Sequence, residues 1–204
     1  AFLAPAIARA DCPAANRYSF SFANQTAATL SYGSSYTYTA TSTGLGNQNV
    51  TVNWQTNGVS SSIVANIQLP AISNLVTDGV AAQNLVVGGV LNARTPDIAG
   101  STGVITTTIT FPVPIRDFTI QMNDIDYASN QFRDWLRVVG INGGQSYTPV
   151  MTTPFANNNT GGATTDASST LEFGPRATAP VLTAADVAGN AASGNNSNNG
   201  TLTV

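Results

Sequence analysis

The chain has 204 residues, 42% of them hydrophobic and only 8% charged, with a net charge of −3 and neither lysine nor histidine. This balance excludes the basic footprint that nucleic acid demands, and no apolar run approaches the ~18 residues of a membrane-spanning helix. Recurrent alternation of aromatic and β-branched residues excludes a wholly disordered chain.

In chain order, the first ten residues, AFLAPAIARA, are apolar and free of acids and close on Ala8-Arg9-Ala10. That small-x-small ending is the form of a signal-peptidase site, so 1–10 reads as the tail of a secretion signal. An ordinary apolar strand is the alternative. A single β-domain over 11–204 follows. Cys12 is the one cysteine. Asp11 separates it from the small residues, which argues against lipidation. It is then a free thiol, half of an intermolecular bridge, or the partner of a cysteine outside this sequence.

Period-2 runs come next. Tyr18, Phe20 and Phe22 alternate with Ser19, Ser21 and Ala23. Leu30, Tyr32, Tyr36 and Tyr38 repeat the pattern around Gly33. Val50, Val52 and Trp54 alternate with Thr51 and Asn53, which assigns Trp54 to a core. Ile63, Ala65, Ile67 and Leu69 predict a further strand over 63–69. The stretch 71–77 predicts one short helical turn, ended by Gly79. Further strands are predicted over 85–91, 104–111, 118–124, 135–141, 147–151 and 170–173. Asn57-Gly58 and Asn142-Gly143-Gly144 are hairpin-type turn signals. The closing Gly200-Thr201-Leu202-Thr203-Val204 reads as the opening of a strand, so the domain reads as cut within its last strands. Short strands with irregular loops predict an all-β fold, an antiparallel two-sheet sandwich of jelly-roll type.

The chemistry-bearing stretch is MNDIDYASNQFRDWLR, residues 122–137. Asp124 and Asp126 continue the alternation of Phe118, Ile120 and Met122, which aims two carboxylates where the apolar residues point. Three accounts fit. A Ca²⁺ ion is held by Asp124, Asp126 and Asp134 with loop carbonyls. Alternatively, Arg116, Arg133 or Arg137 pairs with the acids. In the third, a bulge at Asn123-Asp124 shifts the register and exposes them. The spacing does not match an EF-hand, because Ala128 stands where an oxygen ligand is needed. In the strand over 135–141, Leu136 and Val138 share one face, and Trp135, Arg137 and Val139 the other. Sugar recognition needs an aromatic plane ringed by hydrogen-bonding groups. Trp135, Tyr127 and Trp54 are the candidate planes, with the core as the competing place for Trp54, and Asn123, Asn130 and Gln131 are the candidate partners. No nucleophile–base pair accompanies them.

Phe111-Pro112-Val113-Pro114, then Phe118, Ile120, Asp124, Ile125 and Asp126, then Arg133, Asp134, Leu136, Val138 and Gly140 form one pattern. It is similar to a β-sandwich domain of large bacterial cell-surface and secreted, adhesin-like proteins. The Cys12-Pro13 start and the closing Gly-Thr-Leu-Thr-Val share the likeness. The resemblance implies an extracellular or cell-surface module without catalytic residues. Its expected work is adhesion or matrix contact, with glycans or other cell-surface components as partners. A self-associating subunit of a fibre, pilus or surface layer is the alternative. A polysaccharide hydrolase using paired acids is the third reading.

Overall fold

The structure, a computed structural model, describes residues 13–75, 83–88, 90–91, 103–115, 118–125, 127–128, 132–152, 171–173, 185–189 and 202–204. The predicted signal tail and Cys12 lie outside these residues. Among the described residues the regular elements are β-strands and two three-residue 3-10 turns, Ala14–Asn16 and Phe22–Asn24. The strand pairings are antiparallel. The expected all-β class is therefore observed. Among the described residues no helix is long and apolar enough to cross a membrane.

The first sheet sets Gln48–Asn57 between Ser35–Ala40 and Val104–Thr110. Its sequence dictates its sidedness. Tyr38, Ala40, Val50, Val52 and Trp54 are buried, while Thr37, Thr39, Asn49 and Gln55 beside them are exposed and Thr51 and Asn53 half-buried. Cross-strand register puts Tyr36 and Ile109 on either side of Val52, and Thr107 opposite Trp54. On the outer face, Thr37, Thr51 and Thr110 fall in one row and Ser35, Asn53 and Thr108 in the next. Asn53 ties that outer face together by donating from Nδ2 to the Ser34 carbonyl at 3.0 Å and to Ser35 Oγ at 3.2 Å.

A second sheet, Ala28–Thr29, Ala71–Ser73 and Asn84–Val86, packs against the inner face of the first. Leu30 and Ile72 from its side join Tyr38, Val52 and Trp54 in one buried cluster, with Phe20, Phe22, Tyr36 and Leu85 packed around it. Phe22 meets Tyr38 edge-on at 5.2 Å between ring centroids, and Tyr36 lies 5.5 Å from Trp54. Such aromatic pairs add about 0.5–1.5 kcal/mol beyond area burial.

Three local expectations resolve differently. The predicted helical turn at 71–77 begins as the strand Ala71–Ser73, with all three residues buried. A short, fully buried apolar run carries no period that separates helix from strand. The predicted strand over 63–69 is a hairpin, Ile63–Val64 against Ile67–Gln68. Its two turn residues, Ala65 and Asn66, both have positive φ, 47° and 66°, the backbone form of a two-residue hairpin loop. Asn57-Gly58 does not fold the strand back on itself; Val59–Ser60 leaves to pair with Val90–Leu91.

A separate cluster forms the second core, built from Ile125, Val187, Leu202 and Val204. Ile120, Met122, Leu136, Val138 and Met151 pack around it. Leu202–Thr203 pairs with Gln121–Met122 on one side and bridges to Thr152 on the other. Leu202 is fully buried. Above this core lies the third sheet, with Ala185–Gly189 between Trp135–Val138 and Leu171–Phe173. The Asn142-Gly143-Gly144 signal does make a hairpin, Gly140–Asn142 against Gln145–Tyr147. Gly143 and Gly144 supply the two left-handed positions, φ 57° and 78°.

Candidate functional site: the acidic stretch and the Trp135 face

The alternation that turns Ile120 and Met122 toward the second core stops at Asp124. Asp124 has φ 61°, a left-handed conformation that Asp tolerates better than most side chains. One left-handed residue shifts the parity, and Ile125 rather than Asp124 becomes the buried residue, at 4% exposure. Phe118, expected to face inward, is 43% exposed and rests edge-on against Phe111 at 5.2 Å. The backbone turn at Asp124 is the register change that the third account expected, whereas the Asp124 side chain is half-buried rather than exposed.

Beyond Ile125 the chain makes a small hairpin, Tyr127–Ala128 against Phe132–Arg133, with Tyr127 opposite Arg133. Asp134 follows directly and accepts the Gly189 N–H at its backbone carbonyl, 2.9 Å. Asp126, Asn130 and Gln131 lie outside the described residues. Among the described residues no three His, Cys, Asp or Glu side chains gather into a metal-holding group. Asn123 is half-buried, and its Oδ1 accepts from Gln121 Nε2 at 3.2 Å.

Trp135–Val138 behaves as its alternation predicts. Leu136 and Val138 pack on the second core, which turns Trp135 and Arg137 to the opposite face. The Arg137 guanidinium lies over the Trp135 ring, 5.1 Å from its centroid. It also grips Asp186 with two hydrogen bonds, Nε to Oδ1 at 2.9 Å and Nη2 to Oδ2 at 3.2 Å. The two residues are direct cross-strand partners. The Asp186 side chain is only 5% exposed, and that of Arg137 24%. A buried carboxylate needs such a partner. The hydrogen bonds to Asp186 raise the pKa of Arg137 above its ordinary value; partial burial opposes this and the charge of Asp186 adds to it. Trp135 stands in register with Ala188, and Ala188 with Glu172.

Arg137, one of the three arginines expected near Asp124 and Asp126, instead meets an acid 49 residues downstream; Arg116 lies outside the described residues. Asp186 sits in Ala184-Ala185-Asp186-Val187-Ala188, a stretch with little strand signal. Its one clue is a lone acid among small apolar residues in a chain poor in charge. Tyr147, 55% exposed on the second hairpin, is a further aromatic plane that the sequence pattern did not single out. Chemically, the Trp135 face can stack against a ring and donate hydrogen bonds from a guanidinium whose orientation is fixed. Comparison of the chain with protein-family models, with curated proteins and with solved structures gave no match.

Proposed function

We propose that the chain is a non-catalytic module of an exported bacterial cell-surface or secreted protein, folded as a jelly-roll-like two-sheet sandwich and working in adhesion. Its contact surface for glycans is the face that carries Trp135 and Arg137. The observation that supports this reading is the Trp135–Arg137–Asp186 row. A half-buried indole and a guanidinium held in a fork by a buried acid are arranged before any ligand arrives. Sugar rings stack on the first and accept from the second. Tyr127 and Asn123 flank this face in sequence through the acidic stretch.

Binding of the chain to a panel of neutral oligosaccharides tests this. Trp135→Ala is expected to lower affinity about tenfold or more, because an aromatic anchor carries a large share of binding energy. Unchanged binding in that variant, or no glycan bound at all, removes the reading. Light scattering that shows polymers growing with concentration would instead favour the fibre-subunit alternative.

Calcium belongs to this proposal as a structural ion held by Asp124, Asp126 and Asp134. Chelation by EGTA is then expected to lower the Tm by several degrees, since a ligand that binds the folded state stabilises it. An unchanged Tm, with Asp134→Asn equally costly in either buffer, eliminates the ion.

A further inference from the structure

We propose that the outer edge of Val104–Thr110 is an interface for a second copy of this chain, which adds its own Val104–Thr110 antiparallel about a two-fold axis. The strand pairs along its whole length with Gln48–Asn57 on one side. Among the described residues no strand pairs with its other side. A strand at the edge of a sheet turns unpaired N–H and C=O groups outward, a template for one more strand.

This edge lacks the devices that keep sheet edges apart. Folded proteins protect an exposed edge with charges, lysine above all, with proline, or with a bulge. Val-Ile-Thr-Thr-Thr-Ile-Thr carries no charge and no proline. Its register against Gln48–Asn57 advances one for one through all seven positions, so no bulge bends it. All seven residues are β-branched, which favours the extended form that a further strand needs. The opposite edge of the sheet, Ser35–Ala40, differs: at its end Thr41 is already bridged to the chain's own Ser19.

The sequence selects a second copy as the occupant, because the strand reads nearly the same in both directions. With Thr107 on the axis, Ile105 meets the partner's Ile109, Thr106 the partner's Thr108, and Val104 the partner's Thr110. Matched β-branched pairs of this kind are the favourable cross-strand contacts of a sheet. Ile105 and Ile109 are half-buried at the rim of the first core, and Val104 is 49% exposed. Pairing covers the remaining surface of the two isoleucines and carries the apolar layer from one copy into the next. A strand without charge also meets its own image without repulsion. The contact is isologous and consumes both edges, so it closes at two copies. A seven-residue edge, about 23 Å long, falls below a standard interface. The expected dissociation constant is therefore about 1–100 μM.

Sedimentation equilibrium of the chain from about 1 μM to about 1 mM tests the assignment. Monomer should pass into dimer, with no larger species. Thr106 and Thr108 are exposed on the sheet's outer face. The double variant Thr106→Lys with Thr108→Lys sets like charges directly opposite one another and should weaken the dimer about tenfold or more. The counterpart Thr106→Glu with Thr108→Glu should do the same. Mixing the two variants should restore the pair as a heterodimer, which a misfolded variant could not do. Thr37→Lys with Thr39→Lys, on the opposite edge, should leave the dimer intact. A chain that stays monomeric throughout, growth beyond the dimer, lysine variants that dimerise as the native chain does, or no recovery on mixing would each overturn the proposal. Glycan binding at Trp135 is read in a separate titration, so failure of one surface is not failure of the other.

Discussion

The two larger of the three buried clusters are built on different rules. In the first, alternation runs unbroken through Ser35–Ala40 and Gln48–Asn57, the strands pair over their whole length, and the buried faces are aromatic and aliphatic. In the second, no strand around the cluster exceeds five residues among the described ones, a left-handed Asp124 interrupts the alternation after one of them, and a buried acid is matched to an arginine across the sheet. Long alternation specifies register by itself, because a one-residue slip would turn every apolar side chain outward. Short strands lack that redundancy. There the Arg137–Asp186 pair and the Asp124 turn add what alternation does not supply.

The largest expected effect tests the first core. Trp54 is fully buried and central to its cluster, so Trp54→Ala should cost about 3–5 kcal/mol. A denaturant midpoint shifted by much less would show that the aromatic layer is not what holds the two sheets together.

The parity shift at Asp124 makes the next contrast. Ile125→Ala should cost about 2–4 kcal/mol, since the side chain is 4% exposed within the second core. Phe118→Ala should cost less than about 1 kcal/mol, since that ring is exposed and has one aromatic neighbour. The reverse order would restore the uninterrupted strand and return Asp124 to the apolar face.

What was legible in the sequence follows the same division. The strands Gln48–Asn57 and Val104–Thr110, the burial of Trp54 and the opposite facing of Leu136 and Trp135 could all be read from period-2 spacing. Ala71–Ser73 could not, because a run buried on every side has no period to detect. Nor could the two-residue turn at Ala65-Asn66, where alanine in a left-handed conformation goes against its own preference. At the candidate site Trp135 and the Asp124 turn were within reach. The Arg137–Asp186 pairing was not, since cross-strand partners 49 residues apart are chosen by tertiary register rather than by local pattern.

Asp186 sharpens the comparison at a smaller scale. Asp186→Ala leaves Arg137 without its fork, and should cost about 2 kcal/mol; the partial exposure of Arg137 keeps this below the figure for a fully buried pair. If register in the second core depends on the pair, the double variant Asp186→Leu with Arg137→Met should recover stability yet bind glycans poorly. A double variant with the affinity of the native chain would detach the pair from recognition.

The smallest effect concerns what the first core leaves unsatisfied. Tyr38 Oη and Trp54 Nε1 are buried and make no hydrogen bond. By contrast, the Tyr32 hydroxyl donates to the Gly88 carbonyl and accepts the Gly88 N–H at 3.3 Å. Tyr38→Phe therefore removes a desolvated group with nothing to lose, and should stabilise by about 1 kcal/mol, whereas Tyr32→Phe should cost about that much. Burial raises the pKa of Tyr38 above its ordinary 10.0, and Tyr36 adds to the rise. Burial raises that of Tyr32 as well, against a lowering by its bond to Gly88. As pH climbs past about 10 the unfolded chain gives up these protons first. The stability gained by keeping both phenols neutral is full below that pH and is lost as the folded-state values are passed. Tyr38→Phe should accordingly show a higher Tm at neutral pH and a shallower decline on the alkaline side. A Tm lowered at pH 7 would mean that the hydroxyl has a partner after all, and that the first core is as dependent on polar contacts as the second.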